Sequence, residues 1–193
     1  MNNSLQAKDL INIGIFSVIY LVMGFIVMIL GYIPIFSVLL TLICPIMCGI
    51  PFMLYLTKVK KFGMVALTGI ICGLAMLIMG SGFMVLAFGA IFGLLGDLLL
   101  RAGKYRSLKS SVLGYAIFSL WLMGFISRMF FARDAYFASL ISSYGQEYVD
   151  TLMSYTPSWI YPILFMATFI GGIAGALLGK FILKKHFAKA GIA

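Results

Sequence analysis

Apolar residues along this chain come in long blocks separated by short polar seams, without the three-and-four rhythm of a helix that faces water on one side. A helix needs about 20 apolar residues to cross a bilayer, and six blocks approach or exceed that length: 10–30, 34–57, 63–79, 83–100, 111–131 and 158–183. Only Gly80, Ser81 and Gly82 separate the third from the fourth. Read without that break, the two would form one helix nearly twice as long as a bilayer requires. A tight glycine-rich turn between two helices is the better reading. The pattern predicts an all-α integral membrane protein, a six-helix bundle occupying residues 1–193 as a single domain.

One connection departs from the pattern. Residues 132–157 are neither apolar throughout nor of low complexity, and Phe137, Leu140, Ile141, Tyr144, Tyr148 and Leu152 recur at helical spacing. With Gly145 as a divider, two short amphipathic helices are predicted to lie over one end of the bundle. A bland linker would be rich in Ser and Gly; a structured cap suits a binding protein.

Composition narrows the class further. The chain is 63% apolar and 10% charged, against about 45–50% and 25% in soluble domains. A soluble enzyme, a DNA-binding domain and a disordered segment are therefore excluded. The net charge of +9 is distributed by topology. With six spans and the N-terminus inside, Lys8, Lys58, Lys60, Lys61, Arg101, Lys104, Arg106, Lys109, Lys180, Lys184, Lys185 and Lys189 fall on the cytoplasmic side, leaving Arg128 and Arg133 outside. The positive-inside rule then places both termini in the cytoplasm, with the cations meeting anionic lipid heads and not nucleic acid. The first span has no small-residue cleavage site and is too long for a signal-peptide core, so it is expected to remain in the mature protein. Cys44, Cys48 and Cys72 lie in apolar runs, and an odd number there is no disulfide framework.

Catalytic chemistry is hard to assemble from this inventory. The single histidine, His186, sits among lysines, and no Ser/His, Cys/His or metal-spaced motif is present. Gly179-Lys180 ends like a phosphate loop, but Ala174 and Phe181 occupy two of its required positions. No enzymatic activity, cofactor or metal is expected, and the chain has no means of hydrolysing ATP itself. Asp97 lies near the cytoplasmic end of the fourth span with Arg101 at i+4, a spacing that predicts a local ion pair.

Small residues recur along several spans: Gly171, Gly175 and Gly179, Gly69 and Gly73, Gly89 and Gly93. Such stripes permit close helix approach, within the chain or with a partner. The first span carries another small face at Gly14 and Ser17, with Val18 four residues after Gly14. In the second span, Pro45 and Pro51 each remove a backbone hydrogen bond, which predicts kinks, and Cys44 and Cys48 share a face suited to packing. The external end is richest in aromatic and polar residues. Arg128, Tyr144, Glu147, Tyr148 and Trp159 are the candidate substrate-binding residues, because aromatic walls with few polar groups build small-molecule pockets. Arg128 carries most weight, since a cation one turn inside a span needs a partner or must snorkel. A salt bridge from Arg128 to Asp134, Glu147 or Asp150 that only pins the loop is the alternative.

Four stretches support a resemblance: Leu10-Ile-Asn-Ile-Gly-Ile-Phe-Ser-Val-Ile-Tyr20, Gly96-Asp-Leu-Leu-Leu-Arg-Ala-Gly-Lys-Tyr-Arg-Ser107, Tyr115-Ala-Ile-Phe-Ser-Leu-Trp-Leu-Met-Gly124 and Tyr144-Gly-Gln-Glu-Tyr-Val-Asp-Thr-Leu152. In their order and layout the chain resembles substrate-binding S components of energy-coupling factor (ECF) transporters, and most closely the Trep_Strep family. The resemblance implies a six-helix protein that captures a vitamin or precursor outside the cell. It would then topple in the membrane against a transmembrane coupling subunit driven by two cytosolic ATPase subunits. It also implies a docking face where such proteins commonly carry Ala-x-x-x-Ala; here Gly14-x-x-x-Val18 takes that place. A membrane scaffold that binds other helices through its glycine stripes is the rival from a different class, and an intramembrane enzyme the least favoured reading.

Overall fold

The computed structural model describes residues 5–187, and every regular element among them is helical. In chain order the helices are α1 (Ala7–Met28), α2 (Pro34–Leu56), α3 (Met64–Ile78), α4 (Phe83–Ala102), α5 (Leu108–Ser119), α6 (Met123–Phe131), α7 (Arg133–Tyr144), α8 (Gln146–Tyr155) and α9 (Tyr161–Ile182). A 3₁₀ turn, Ile29–Tyr32, extends α1, and another, Leu120–Leu122, joins α5 to α6 as one rod. Five of these helical segments are long and apolar enough to cross a membrane. The sixth apolar segment, α3, has 15 residues. At 1.5 Å per residue it rises about 22 Å, short of the roughly 30 Å hydrocarbon core. Lys189 lies outside the described residues.

Local chemistry explains the helix starts. Pro34 opens α2, where its fixed φ suits the first turn and its missing N–H leaves nothing unsatisfied. Ser107 caps α5 by accepting from the Ser110 amide. The α1 start is a capping box between Gln6 and Asp9, and Asp9 also pairs with Lys61 at 2.8 Å. These starts lie before the apolar runs do, so α1 begins at Ala7 rather than residue 10, and α5 at Leu108 rather than residue 111.

Helix packing uses the glycines. A Cβ on Gly171 would sit 2.6 Å from the Leu42 carbonyl oxygen, and one on Gly179 would sit 2.7 Å from that of Gly49. These two positions let α9 lie directly on the backbone of α2. On another side of α9, a Cβ at Gly172 would meet Ala116 Cα of α5 at 2.7 Å. The Gly69, Gly73, Gly89 and Gly93 set brings α3 against α4 in the same way. The stripes are therefore consumed inside the chain, where dispersion between closely approached backbones replaces the hydrophobic effect.

Between the glycine seams, aromatic rings fill the centre. Tyr20, Phe52, Phe118 and Trp121 are buried and pack with centroids 4.5–6.2 Å apart. Their polar tips are matched: Trp121 Nε1 donates to the Tyr20 hydroxyl at 3.2 Å, and the neighbouring Tyr115 hydroxyl donates to the Pro45 carbonyl at 2.6 Å. Cys44 and Cys48 stand one turn apart with their sulfurs 3.8 Å from each other, buried in the same core. The helix α2 remains continuous through Pro45 and Pro51.

Two expectations fail here. Asp97 does not pair with Arg101. Its carboxylate, fully buried, accepts from the Gly63, Val65 and Ala66 amides at 2.9–3.1 Å and from the Tyr105 hydroxyl at 3.0 Å. Asp97 is thus a tertiary cap for the start of α3, while Arg101 lies over the Phe62 ring at 5.1 Å. The i+4 spacing could not reveal this, because free helix-start amides on another element offer a carboxylate more than a solvated guanidinium does. Ser17 also differs. It points into the bundle, fully buried with its hydroxyl unpartnered, while Gly14 and Val18 face outward.

The long apolar segments, with α5 and α6 counted as one rod, alternate in direction, so the described lysines and arginines sort to two ends. Lys8, Lys58, Lys60, Lys61, Arg101 and the basic residues following them gather at one, the basic end. Arg128 and Arg133 lie at the other, under and within α7 and α8. This second end is the cap end.

Candidate ligand site beneath the helical cap

At the cap end, α7 and α8 fold over the bundle as a helical hairpin. Gly145 joins them with φ +83° and ψ 163°, a conformation reserved for glycine. Buried Phe137, Val149 and Leu152 seat the pair on the cap-end hydrophobic cluster. Ile141, expected on this buried face, is exposed. Polar ties lock the hairpin. Arg133 donates to the Thr156 and Met153 carbonyls at 2.6 and 3.1 Å and lies over the Phe137 ring at 4.9 Å. The Tyr148 hydroxyl donates to the Gly31 carbonyl at 2.5 Å, fastening α8 to the end of the first transmembrane rod.

Under this hairpin is a cavity of ≈ 330 Å³, at the small end of the range of about 300–1,000 Å³ for small-molecule sites. Its walls come from the end of α1, the start of α2, the α3–α4 turn, α6, α7 and α8. Of the five predicted site residues, Arg128, Tyr144 and Tyr148 line it together. Glu147 does not: it sits in the first turn of α8, exposed and outside the cavity. Trp159 does not either, standing 67% exposed in a 3₁₀ turn before α9. Glu147 is the neighbour of Tyr148 in sequence, but the helical phase of α8 aims it elsewhere, and Trp159 stands in a separate turn at 158–160 beyond that helix.

Arg128 is held by the turn that separates α3 from α4. Its Nη1 donates to the Gly80 carbonyl at 3.0 Å, and its side chain lies across Gly82, where a Cβ would meet Cδ at 3.3 Å. Gly82 also has φ +82° and ψ 164°, so its conformation requires glycine there. The guanidinium carbon is 5.8 Å from the Tyr136 ring centroid. The alternative of a loop-pinning salt bridge does not occur: among the described residues Asp9–Lys61 is the ion pair found, and Asp134, Glu147 and Asp150 make none with Arg128.

Several cavity residues escaped the sequence reading. Tyr136 and Ser81 are 9% and 7% exposed, line the cavity, and have hydroxyls with no hydrogen-bond partner among the described residues. Burial pushes the Tyr136 phenol up to about 12, so it remains a donor at any physiological pH. Burial likewise raises Tyr148. Tyr144 and Tyr148 stack at 4.7 Å. The tyrosine density of the segment was the available signal; the contribution of Ser81 and Gly80 was not visible, because a turn between spans carries no mark of which helix it will meet.

Below the cavity, a smaller space of ≈ 30 Å³ shares the walls Met28, Ser37, Leu40 and Phe125 and continues toward Thr41, Cys44 and Ile126. No cluster of side chains suited to holding a metal occurs among the described residues.

A family model described as a hypothetical bacterial integral membrane protein (Trep_Strep) matches residues 7–189. No curated protein and no solved structure matches the chain. The match spans nearly the whole chain and agrees with its long apolar helices. This chain belongs to the Trep_Strep family of bacterial integral membrane proteins and is a multi-pass protein of the cell membrane.

Proposed function

We propose that this protein is the substrate-specific S component of an ECF transporter, capturing a small vitamin or precursor on the external side. The observation that carries this reading is the ≈ 330 Å³ cavity beneath the α7–α8 hairpin, at the end of the bundle opposite the basic loops. In this reading α3 is the sixth span, its short rise accommodated by local thinning of the bilayer. The basic end is cytoplasmic, as are both termini, and the cavity opens outward.

The chain carries no nucleotide-binding motif, so uptake against a gradient needs energy from elsewhere. A transmembrane coupling subunit and two cytosolic ATPase subunits supply it, and the protein itself performs no catalysis. Docking uses the outward face of α1 around Gly14 and Val18. A Cβ on Gly14 would meet nothing within 4 Å, and Val18 is 60% exposed, so a partner backbone can approach at Gly14 without disturbing the bundle. Ser17 is not part of that face. A scaffold role is less well supported, because the glycine stripes of α3, α4 and α9 are occupied within the chain.

Co-expression with a coupling subunit and its ATPases tests the reading. Gly14→Trp should abolish co-purification and uptake while leaving the purified protein's melting temperature unchanged, since helix approach fails when several heavy atoms enter the contact. Complex yield and uptake equal to those of the unaltered protein would sink the docking assignment. Mass spectrometry of small molecules released from the purified protein identifies the cargo directly.

A further inference from the structure

We infer that the cavity takes a small monocarboxylate with a flat apolar body, its acid group bound at the rim by Arg128, Tyr136 and Ser81. The inference rests on the reading of the cavity as a capture site and names the class of molecule captured.

Charge comes first. Arg128 is the ionisable group of fixed charge in the cavity wall, no acidic residue lines it, and no carboxylate neutralises Arg128 among the described residues. A cationic ligand would enter against that guanidinium with nothing to pair with, whereas an anion gains a charge-assisted contact in a site partly removed from water. Among the described residues one donor of the guanidinium is engaged, by the Gly80 carbonyl, and the fork of Arg has five. Beside it, Tyr136 and Ser81 line the cavity, and their hydroxyls make no hydrogen bond among the described residues. Both are free to donate into the cavity, and a carboxylate with four acceptor positions suits one guanidinium flanked by two hydroxyls.

The opposite side of the cavity is unlike the rim. Met28, Leu40 and Phe125, with the small Ser37 beside them, form its floor, and the space continues toward Cys44 between mostly apolar walls. Thr41 lies there too, but its hydroxyl already donates to the Val38 carbonyl at 2.9 Å. A second charged or strongly polar end would be desolvated there without compensation. The stacked Tyr144 and Tyr148 rings supply a flat side wall. The molecule is therefore polar at one end, apolar at the other, and singly charged.

Two matched probe sets test the class: indole-3-acetate against indole-3-acetamide and tryptamine, and phenylacetate against its amide and phenethylamine. Each trio has one skeleton carrying an anion, a neutral amide or a cation. Concentration-dependent thermal stabilisation of the purified full chain in detergent reads binding to the folded state. At least one acid should half-saturate at a concentration about tenfold or more below its amide and its amine. Arg128→Gln should erase that preference by weakening the acid alone. Tyr136→Phe, which keeps the ring packing, should weaken the acid by a smaller factor and leave the amide unaffected. A preference for amide or amine, an acid preference that survives Arg128→Gln, or no stabilisation by either acid overturns the inference. The S-component reading is judged separately, by co-purification and by its loss in Gly14→Trp. Complex formation without acid binding would leave that reading standing and remove the ligand class.

Discussion

Asp97 and Arg128 lie within the helices of the bundle near its opposite ends, and each is held by neutral hydrogen-bonding groups and not by an opposite charge. Asp97 accepts from three amides at the start of α3 and from Tyr105. Its replacement by Asn presents an NH₂ group to donors and removes the charge that strengthened those bonds. Asp97→Asn should therefore lower stability by about 2–4 kcal/mol, as measured by denaturant unfolding in detergent, since hydrogen bonds to charged groups are worth about 1.5–3 kcal/mol. A cost near zero would mean that the α3 start finds other acceptors. Gly82 serves Arg128 in a comparable way. Gly82→Ala should cost about 1–3 kcal/mol from its glycine-only backbone conformation alone. It should also shift the Arg128 side chain, because the added methyl would lie 3.3 Å from Cδ. The expected result is reduced stability together with loss of the acid preference of the cavity; a variant with both intact would separate the turn from the site.

At the scale of helices, the glycines divide into those that pack and those that do not. Gly171 and Gly179 seat α9 on α2 with no room for a methyl group, whereas Gly14 on α1 has open space around it. Gly171→Leu should therefore abolish a monodisperse, cooperatively unfolding protein in detergent, since overpacking typically costs 1–3 kcal/mol or more, here against backbone. Gly14→Leu should leave yield and melting temperature unchanged. Equal behaviour of the two variants would contradict the packing described for α2 and α9. The α7–α8 hairpin belongs to the same level. Its helices are short, and it holds its place through Phe137, Val149 and Leu152 beneath and through Arg133 and Tyr148 at its edges.

For the whole molecule the decisive quantity is the direction in which it sits in the membrane. Cys44, Cys48 and Cys72 are all buried, so an introduced cysteine is labelled over little background. Ser143→Cys, in the exposed part of α7, should react with an impermeant thiol reagent added to intact cells. Arg106→Cys, exposed in the turn before α5, should react only after the membrane is opened. Arg106 is preferred to Ser107, which caps α5. Reversed labelling would turn the cavity toward the cytoplasm and exclude capture from outside.

The block pattern of apolar residues by itself determined that the chain is helical and membrane-embedded, and it located each long helix to within a few residues. Runs of that length leave no alternative when every backbone group must be satisfied in lipid. Sequence also marked the Gly80-Ser81-Gly82 turn, the Gly145 divider and the cap-end tyrosines, because turn chemistry and local composition act over a few residues. Only the tertiary structure decided what those features meet. The amides that cap onto Asp97 lie 31–34 residues away and the carbonyl that holds Arg128 lies 48 residues away on another turn. The helical phase of α8 decided that Tyr148 would enter the cavity and Glu147 would not. It was likewise the rotation of α1 against its neighbours that buried Ser17 and left Gly14 open. In a chain apolar on all sides, hydrophobic patterning cannot specify which face of a helix turns inward. Close packing between helices specifies it, and packing is a property of pairs.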